Sequence, residues 1–100
     1  MKPVSVVIKK SPKKSKKLVA EFKDKSGIVI KNTHFGAKGM SDYTIHKDKE
    51  RRKRYRKRHL KDLDTKDFTR AGYLSYYILW GDSSDLQTAI KDYKKMFKLK

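Results

Sequence analysis

The stretch DKERRKRYRKRH, from Asp48 to His59, contains eight basic residues around a single tyrosine. Arginine outnumbers lysine in this stretch, whereas lysine predominates in the rest of the chain. A guanidinium group can donate two parallel hydrogen bonds to a phosphate, so this composition indicates phosphate contacts but no reading of a base sequence. Three interpretations are open for the stretch: a solvated helix face, a nuclear localisation signal, and a surface that binds a polyanion.

The same stretch has the features of a helix that is anchored to a folded domain. Asp48 is suited to cap the N-terminus of a helix running to about Leu60. On that helix Tyr55, His59 and Leu63 fall at i, i+4 and i+8, which predicts a thin stripe packed against the domain. The basic residues occupy two further faces, one with Arg51, Arg54 and Arg58 and the other with Lys53, Lys57 and Lys61.

A second basic segment, KKSPKKSKK from Lys9 to Lys17, contains six lysines, two serines and a proline. Such a loop can lie along a phosphate backbone, and it can equally be a plain solvated hairpin loop. The residues predicted to bind nucleic acid through its phosphates are Arg51, Arg52, Arg54, Arg56, Lys57 and Arg58 of the basic helix and Lys13, Lys14, Lys16 and Lys17 of the loop.

Residues that could carry catalysis or hold a metal are sparse. The histidines are His34, His46 and His59, no two of them have the i, i+3 or i, i+4 helical spacing of metal ligands, and the chain has no cysteine. No paired carboxylates and no phosphate-cradling loop followed by lysine are visible. The sequence therefore predicts no metal, no cofactor and no enzymatic activity.

Charge is unevenly distributed over the 100 residues, whose formal net charge is +17. The sheet region and the basic helix hold most of the excess, while residues 64–93 are slightly acidic. Repulsion at this density predicts a partner that supplies negative charge: nucleic acid, an acidic protein surface or an anionic membrane. An apolar run of about 18 residues is missing, so we expect no membrane span, and the N-terminal pattern does not indicate a signal peptide.

The elements that must position these residues are those of a single α+β domain over 1–100, a three-stranded antiparallel sheet followed by three helices. Residues 1–36 are predicted to form a β-meander with the lysine-rich loop 9–17, residues 37–47 a loop, and residues 48–98 three helices. The buried sheet face is predicted to carry Val4, Val6, Ile8, Leu18, Ala20 and Phe22.

The two later helices are predicted to form the nearly neutral core of the domain. The second begins at Thr65 or Asp67 and stops at Gly81, and its apolar residues on every side predict burial on most faces. The third is capped by Ser83 or Ser84 and is amphipathic. Core packing, rather than base stacking, is the prediction for the aromatic cluster of Tyr73, Tyr76, Tyr77 and Trp80, because the segment carries little charge.

The central segment THFGAKGMSDYTIHKDKERRKRYRKRH resembles a family of small basic proteins of unassigned function from large double-stranded DNA viruses of eukaryotes, the chlorella-virus and mimivirus-like groups. The likeness covers roughly residues 4–97. It is carried by the following residues: His34-Phe35-Gly36, Gly39 to Thr44, His46 to Asp48, Tyr55 and His59, Ile78 to Trp80, and Asp92 to Lys95. An aromatic residue is common in that family where Met40 stands.

This resemblance implies a viral protein found in the virion and in the infected host cell, either in the nucleus or in a cytoplasmic virus factory. The predicted function is non-specific binding and packaging of nucleic acid, most simply viral DNA. The alternative is a virion structural or minor capsid protein that binds acidic capsid surfaces. Asp42 and Thr44 are expected to tie their loop to the start of the basic helix, with Tyr43 packed between sheet and helix.

Overall fold

The first third of the chain forms a sheet because β-branched and aromatic residues alternate with polar ones between turn residues. The structure is a computed structural model that describes residues 2–100. Its strands β1 (Ser5–Lys10), β2 (Lys16–Lys23) and β3 (Val29–Ala37) are antiparallel and lie in the order β1-β2-β3. The predicted meander is thereby confirmed.

The register of the strands places one apolar set on the inner face of the sheet. Val6 lies opposite Phe22, and Ile8 lies opposite Ala20. Val6, Ala20 and Phe22 are fully buried, and Ile8 packs against them. Val4 was expected on this face but is 38% exposed, because it precedes β1 and pairs only through its backbone, which accepts from Lys100 N at 3.0 Å.

Helical elements follow the sheet, so the α+β prediction is confirmed, with four α-helices instead of three. They are α1 (Tyr43–His46), α2 (Lys49–His59), α3 (Ala71–Leu74) and α4 (Leu86–Met96). A 3-10 helix, Leu60–Thr65, extends α2, and a π-helix, Ser75–Leu79, extends α3. The additional helix, α1, lies in the predicted loop 37–47, where the Asp42 carboxylate accepts from Thr44 N at 2.9 Å and caps it.

The second predicted helix starts later than expected, at Ala71 instead of Thr65 or Asp67. The 3-10 helix uses residues as far as Thr65, and Lys66 then takes a left-handed backbone with φ 54°. Asp67 directs its carboxylate to Thr69 N at 3.0 Å, which closes a local turn in place of a helix cap. The Asp67 side chain, which could cap a helix, therefore stabilises a turn here instead.

The last helix, α4, is also capped by a different residue than expected. The Asp85 carboxylate accepts from Thr88 N at 2.9 Å, and Ser83 supports the cap by accepting from Asp85 N at 3.0 Å. The acidic side chain takes the capping position because it also interacts favourably with the positive end of the helix dipole. The predicted amphipathic face is confirmed, with Ala89, Ile90 and Tyr93 buried.

The core lies between the inner face of the sheet and the helices. Phe22, Phe35, Leu74, Ile78 and Tyr93 are completely buried in it. The hydroxyl of Tyr93 donates to the Phe68 carbonyl oxygen, so its polar end is satisfied, and burial raises the pKa of this phenol. The predicted core role of the aromatic cluster is confirmed, since Tyr73, Tyr76 and Trp80 are buried and Tyr77 packs against them.

Position 81, just after the helical segment, requires glycine for a steric reason. Its backbone is not left-handed, but a Cβ placed on it would collide with the carbonyl oxygen of Tyr77, which is fixed backbone. We therefore expect Gly81→Ala to destabilise the fold by about 1–3 kcal/mol, as overpacking does. Thermal unfolding measures this, and a loss below about 0.5 kcal/mol, the range of an ordinary surface substitution, would contradict the steric explanation.

Candidate nucleic-acid groove

A concave groove of about 930 Å³ separates helix α2 from the sheet. One wall consists of α2 and the following 3-10 helix, and the other consists of the ends of β2 and β3 with the turn before α1. Residues of α3, of the π-helix and Trp80 form the floor. The groove exists because α2 is anchored at its aromatic and arginine contacts and stands away from the edge of the sheet.

Both walls of the groove are basic. Arg51, Arg54 and Arg58 lie on its α2 wall, as their common helical face predicted, and all three are exposed. None of them has an ion-pair partner among residues 2–100. Lys16 lines the opposite wall. The complete charged lining is Lys16, Lys17, Arg51, Arg54, Arg58 and Lys61 against the acidic Asp42 and Asp62.

Lys17 and Asp42 form a mostly buried ion pair at the edge of the groove. Lys17 Nζ lies 2.6 Å from Asp42 Oδ2, and the two side chains are 18% and 3% exposed. Asp42 therefore ties the turn before α1 to strand β2, whereas a link to the basic helix was expected. Lys17, predicted to contact phosphate, already has its charge neutralised by this partner, while Tyr43 is buried in the core as expected.

Two of the predicted phosphate-binding arginines point into the protein. Arg52 donates from Nε to the Gly81 carbonyl oxygen at 2.5 Å and pairs with Asp82 at 2.6 Å. Arg56 donates to the Trp80 carbonyl oxygen at 2.9 Å, with its guanidinium 4.1 Å from the Tyr76 ring centre. Cations are favourable at the C-terminal end of a helix, so both residues serve to dock α2 onto the π-helix.

Aromatic rings form the contact between α2 and the floor of the groove. The Tyr55 ring is stacked between His59, at 4.1 Å between ring centres, and Trp80, at 4.3 Å. Burial raises the pKa of the Tyr55 phenol, and the negative charge of Asp62 adds to the effect. The expected packing of His59 beside Tyr55 is confirmed, and His59 Nδ1 lies 3.0 Å from Asp62 Oδ2.

The other predicted residues lie around the groove. Lys13 and Lys14 are exposed in the β1–β2 loop, which is joined to the groove mouth because Lys38 N donates to the Ser15 carbonyl oxygen at 3.0 Å. Lys57 is exposed on α2 but does not line the groove. Lys61 does line it and was not among the predicted site residues, although its position three residues after Arg58 could have indicated this.

Helix α2 begins at a charged cap, as the sequence predicted. The Asp48 carboxylate accepts from Glu50 N at 3.0 Å and from Arg51 N at 3.2 Å. The hydrogen bond from the Arg51 backbone holds the pKa of Asp48 below its ordinary value of 3.8. A lowered pKa in the folded state means that this stabilisation is complete above pH 3.8 and is lost as the pH falls through the folded value.

We therefore expect the thermal stability of Asp48→Asn to fall less than that of the wild type between about pH 5 and about pH 2. Asparagine can still cap the helix but has no charge to titrate. Circular dichroism melts across this pH range measure the difference between the two curves. Parallel curves would mean that the Asp48 carboxylate does not contribute to acid sensitivity.

The histidines are spread over different parts of the fold. Ser11 bonds His34 Nδ1 at 2.7 Å, His46 Nδ1 accepts from Asp48 N at 2.9 Å, and only His59 lines the groove. Among residues 2–100, no group of three or more histidine, aspartate or glutamate side chains could hold a metal ion. Nor does any helix in this part of the chain have the length and apolarity to cross a bilayer.

Fold and groove together define a small basic α+β domain with a concave, arginine-rich site. Residues 6–59 match the model of a family of unknown function, DUF5754, and the match covers more than half of the chain. The protein belongs to this family. No curated protein and no solved structure matches it. The matched segment includes β2, β3 and α2, which supply most of both walls of the groove, while the viral origin and virion location stay predictions.

Proposed function

We propose that this protein binds nucleic acid without sequence specificity, through phosphate contacts made in the groove. The observation that supports the proposal is the set of three exposed arginines, Arg51, Arg54 and Arg58, which have no ion-pair partner in residues 2–100 and face Lys16 across a concave surface. Unpaired charges of one sign on two opposed walls favour a ligand that carries regularly spaced negative charge.

The geometry of α2 favours a phosphate backbone over a single anion. Arg51, Arg54 and Arg58 follow one another along one helix face, so their guanidinium groups form a row. Each can make a bidentate contact with a phosphate, and each contact releases a condensed counterion from the nucleic acid. Lys61 continues the row beyond Arg58, and Lys13 and Lys14 extend the positive field beyond the opposite wall.

The net charge of +17 supports the same function at longer range. A positive field of this size accelerates encounters with a polyanion, and its effect decreases with ionic strength. If the resemblance to viral basic proteins holds, the ligand is viral DNA, and the protein would accompany and compact the genome in the virion. Arg52, Arg56 and Lys17 would contribute to this field while their side chains hold the groove in shape.

The test is the affinity for a random-sequence oligonucleotide of about 20 nucleotides, measured by fluorescence anisotropy across a salt series. Contacts to about six phosphates predict a log–log slope near −4 for a single strand and near −5 for a duplex. A weak and shallow response with both forms would contradict nucleic-acid binding. It would direct the search to an acidic protein surface, as expected of a minor capsid protein.

A further inference from the structure

The groove and the outer surface of α2 offer two different places for a nucleic acid. The exposed outer side of the helix carries a lysine stripe, Lys49, Lys53 and Lys57, at i, i+4 and i+8, and none of these lysines lines the groove. The groove side carries the arginine row. A rigid duplex could reach the lysine stripe from outside, so the two surfaces predict different ligands.

The size of the groove excludes a duplex from its interior. Its volume of about 930 Å³ is that of a pocket for a small molecule or for a few linked residues of a polymer. A B-DNA duplex is much larger than this pocket, since its major groove alone is about 12 Å wide and admits a whole α-helix. The domain measures 41 × 27 × 23 Å, so a cleft between two of its elements cannot enclose a complete double helix.

The groove offers apolar and aromatic surface to bases beside its arginines. Met40, 65% exposed, stands at the mouth, and the half-exposed rings of Tyr55 and His59 lie on the α2 wall, while Leu79 and Trp80 are buried beneath them. A duplex presents sugars and phosphates to a surface and keeps its bases stacked inside, so apolar surface in the groove adds nothing to its binding. A single strand has unpaired bases that gain from contact with apolar and aromatic side chains, while its phosphates follow a basic wall.

We propose that the groove holds one strand of a single-stranded nucleic acid. This inference rests on the nucleic-acid binding proposed above and assigns it a substrate form. The phosphates lie along Arg51, Arg54 and Arg58, the bases turn toward Met40 and the half-exposed rings of Tyr55 and His59, and the strand leaves the groove past Lys16 toward the lysines of the β1–β2 loop. Sequence preference is not expected, because apolar contact with a base face does not distinguish the bases strongly.

The chain contains a single tryptophan, Trp80, and its ring stacks on Tyr55 at 4.3 Å between ring centres, so its emission reports on the groove through Tyr55. The experiment compares three ligands of about 12 nucleotides: a random-sequence single strand, the same sequence as a duplex, and an abasic single strand with the same phosphates. We expect the single strand to bind about tenfold or more tightly than the duplex and the abasic strand, since each stacked base adds affinity. Only the single strand should change the Trp80 emission.

Two triple variants locate the bound strand. Arg51→Gln, Arg54→Gln and Arg58→Gln remove three charges from the groove, and Lys49→Gln, Lys53→Gln and Lys57→Gln remove three from the outer side of the same helix. We expect the arginine variant to lose the preference for the single strand and the lysine variant to keep it. Circular dichroism melts show whether each variant is folded, and single replacement of Arg54 serves if a triple variant is not.

The outcomes separate this inference from the function on which it rests. Equal or tighter binding of the duplex, reduced mainly by the lysine variant, would overturn the single-strand inference and leave nucleic-acid binding standing. Tighter binding of the single strand that the lysine variant weakens and the arginine variant does not would also overturn it, because the strand would lie outside the groove. If none of the three ligands binds, both the inference and the proposed function fall.

Discussion

Replacing Arg51, Arg54 and Arg58 together by glutamine is expected to weaken binding of a single-stranded oligonucleotide on the order of 1000-fold at low salt. A hydrogen bond to a charged group contributes about 1.5 kcal/mol, and about 1.4 kcal/mol corresponds to a factor of ten in affinity. The three side chains are exposed and unpaired within residues 2–100, so their loss should cost the fold little. Anisotropy titration of the purified variants measures the change.

The salt dependence of the same variants gives a second and independent measure. Each phosphate contact removed should lower the log–log slope by about 0.7 with a single strand, so the triple variant should lose about two units. Lys49→Gln, Lys53→Gln and Lys57→Gln in one chain form the matched control, with the same change in net charge on the same helix. If control and arginine variant lose affinity equally, only net charge matters and the groove is not the site.

Asp42→Ala is expected to destabilise the fold by about 3 kcal/mol. The Asp42 carboxylate is almost fully buried, it pairs with Lys17 Nζ at 2.6 Å, and it caps α1 through Thr44 N. Removing it leaves the Lys17 charge largely buried without a counter-charge. For a domain of 100 residues, the melting temperature should fall by about 12–24 °C.

A double-mutant cycle shows whether the ion pair causes this loss. Lys17→Met removes the charge that Asp42→Ala would leave unpaired, so the combined variant should lose clearly less stability than the sum of the two single variants. The remaining loss in the double variant measures the capping of α1. Additive losses would mean that Lys17 and Asp42 are not coupled, and a fall of less than about 4 °C for Asp42→Ala would contradict its structural role.

Local patterns in the sequence were sufficient to predict the sheet and helix α2. Alternating apolar residues between Lys-Ser-Gly and Ser-Pro turns fix the register of the strands, and an aspartate before a run without helix breakers fixes the start of α2. The boundaries after Leu60 were not predictable in this way. Thr65, Asp67 and Ser83 all have capping side chains, and which of them caps a helix depends on tertiary contacts.

Which arginines stay exposed in the groove and which dock α2 onto the domain also depends on contacts that a sequence does not display. The period of the helix placed Arg51, Arg54 and Arg58 on one face, but it could not tell which face looks into the groove. Arg52 and Arg56 have the same side chain as these three arginines, but they donate hydrogen bonds because the carbonyl oxygens of Gly81 and Trp80 lie on their side of α2. The groove arises from the packing of distant segments, so it has no signature in any single one.

Whether a nucleic acid binds in the groove is tested most directly by NMR. A ¹H–¹⁵N spectrum is recorded while a single-stranded oligonucleotide is added to the wild-type protein. We expect the largest shifts at the amides of Gly36 and Gly72, the side chain of Arg54 and the indole of Trp80, all of which line the groove. Shifts confined to Lys49, Lys53, Lys57 and the outer face of the sheet would contradict binding in the groove.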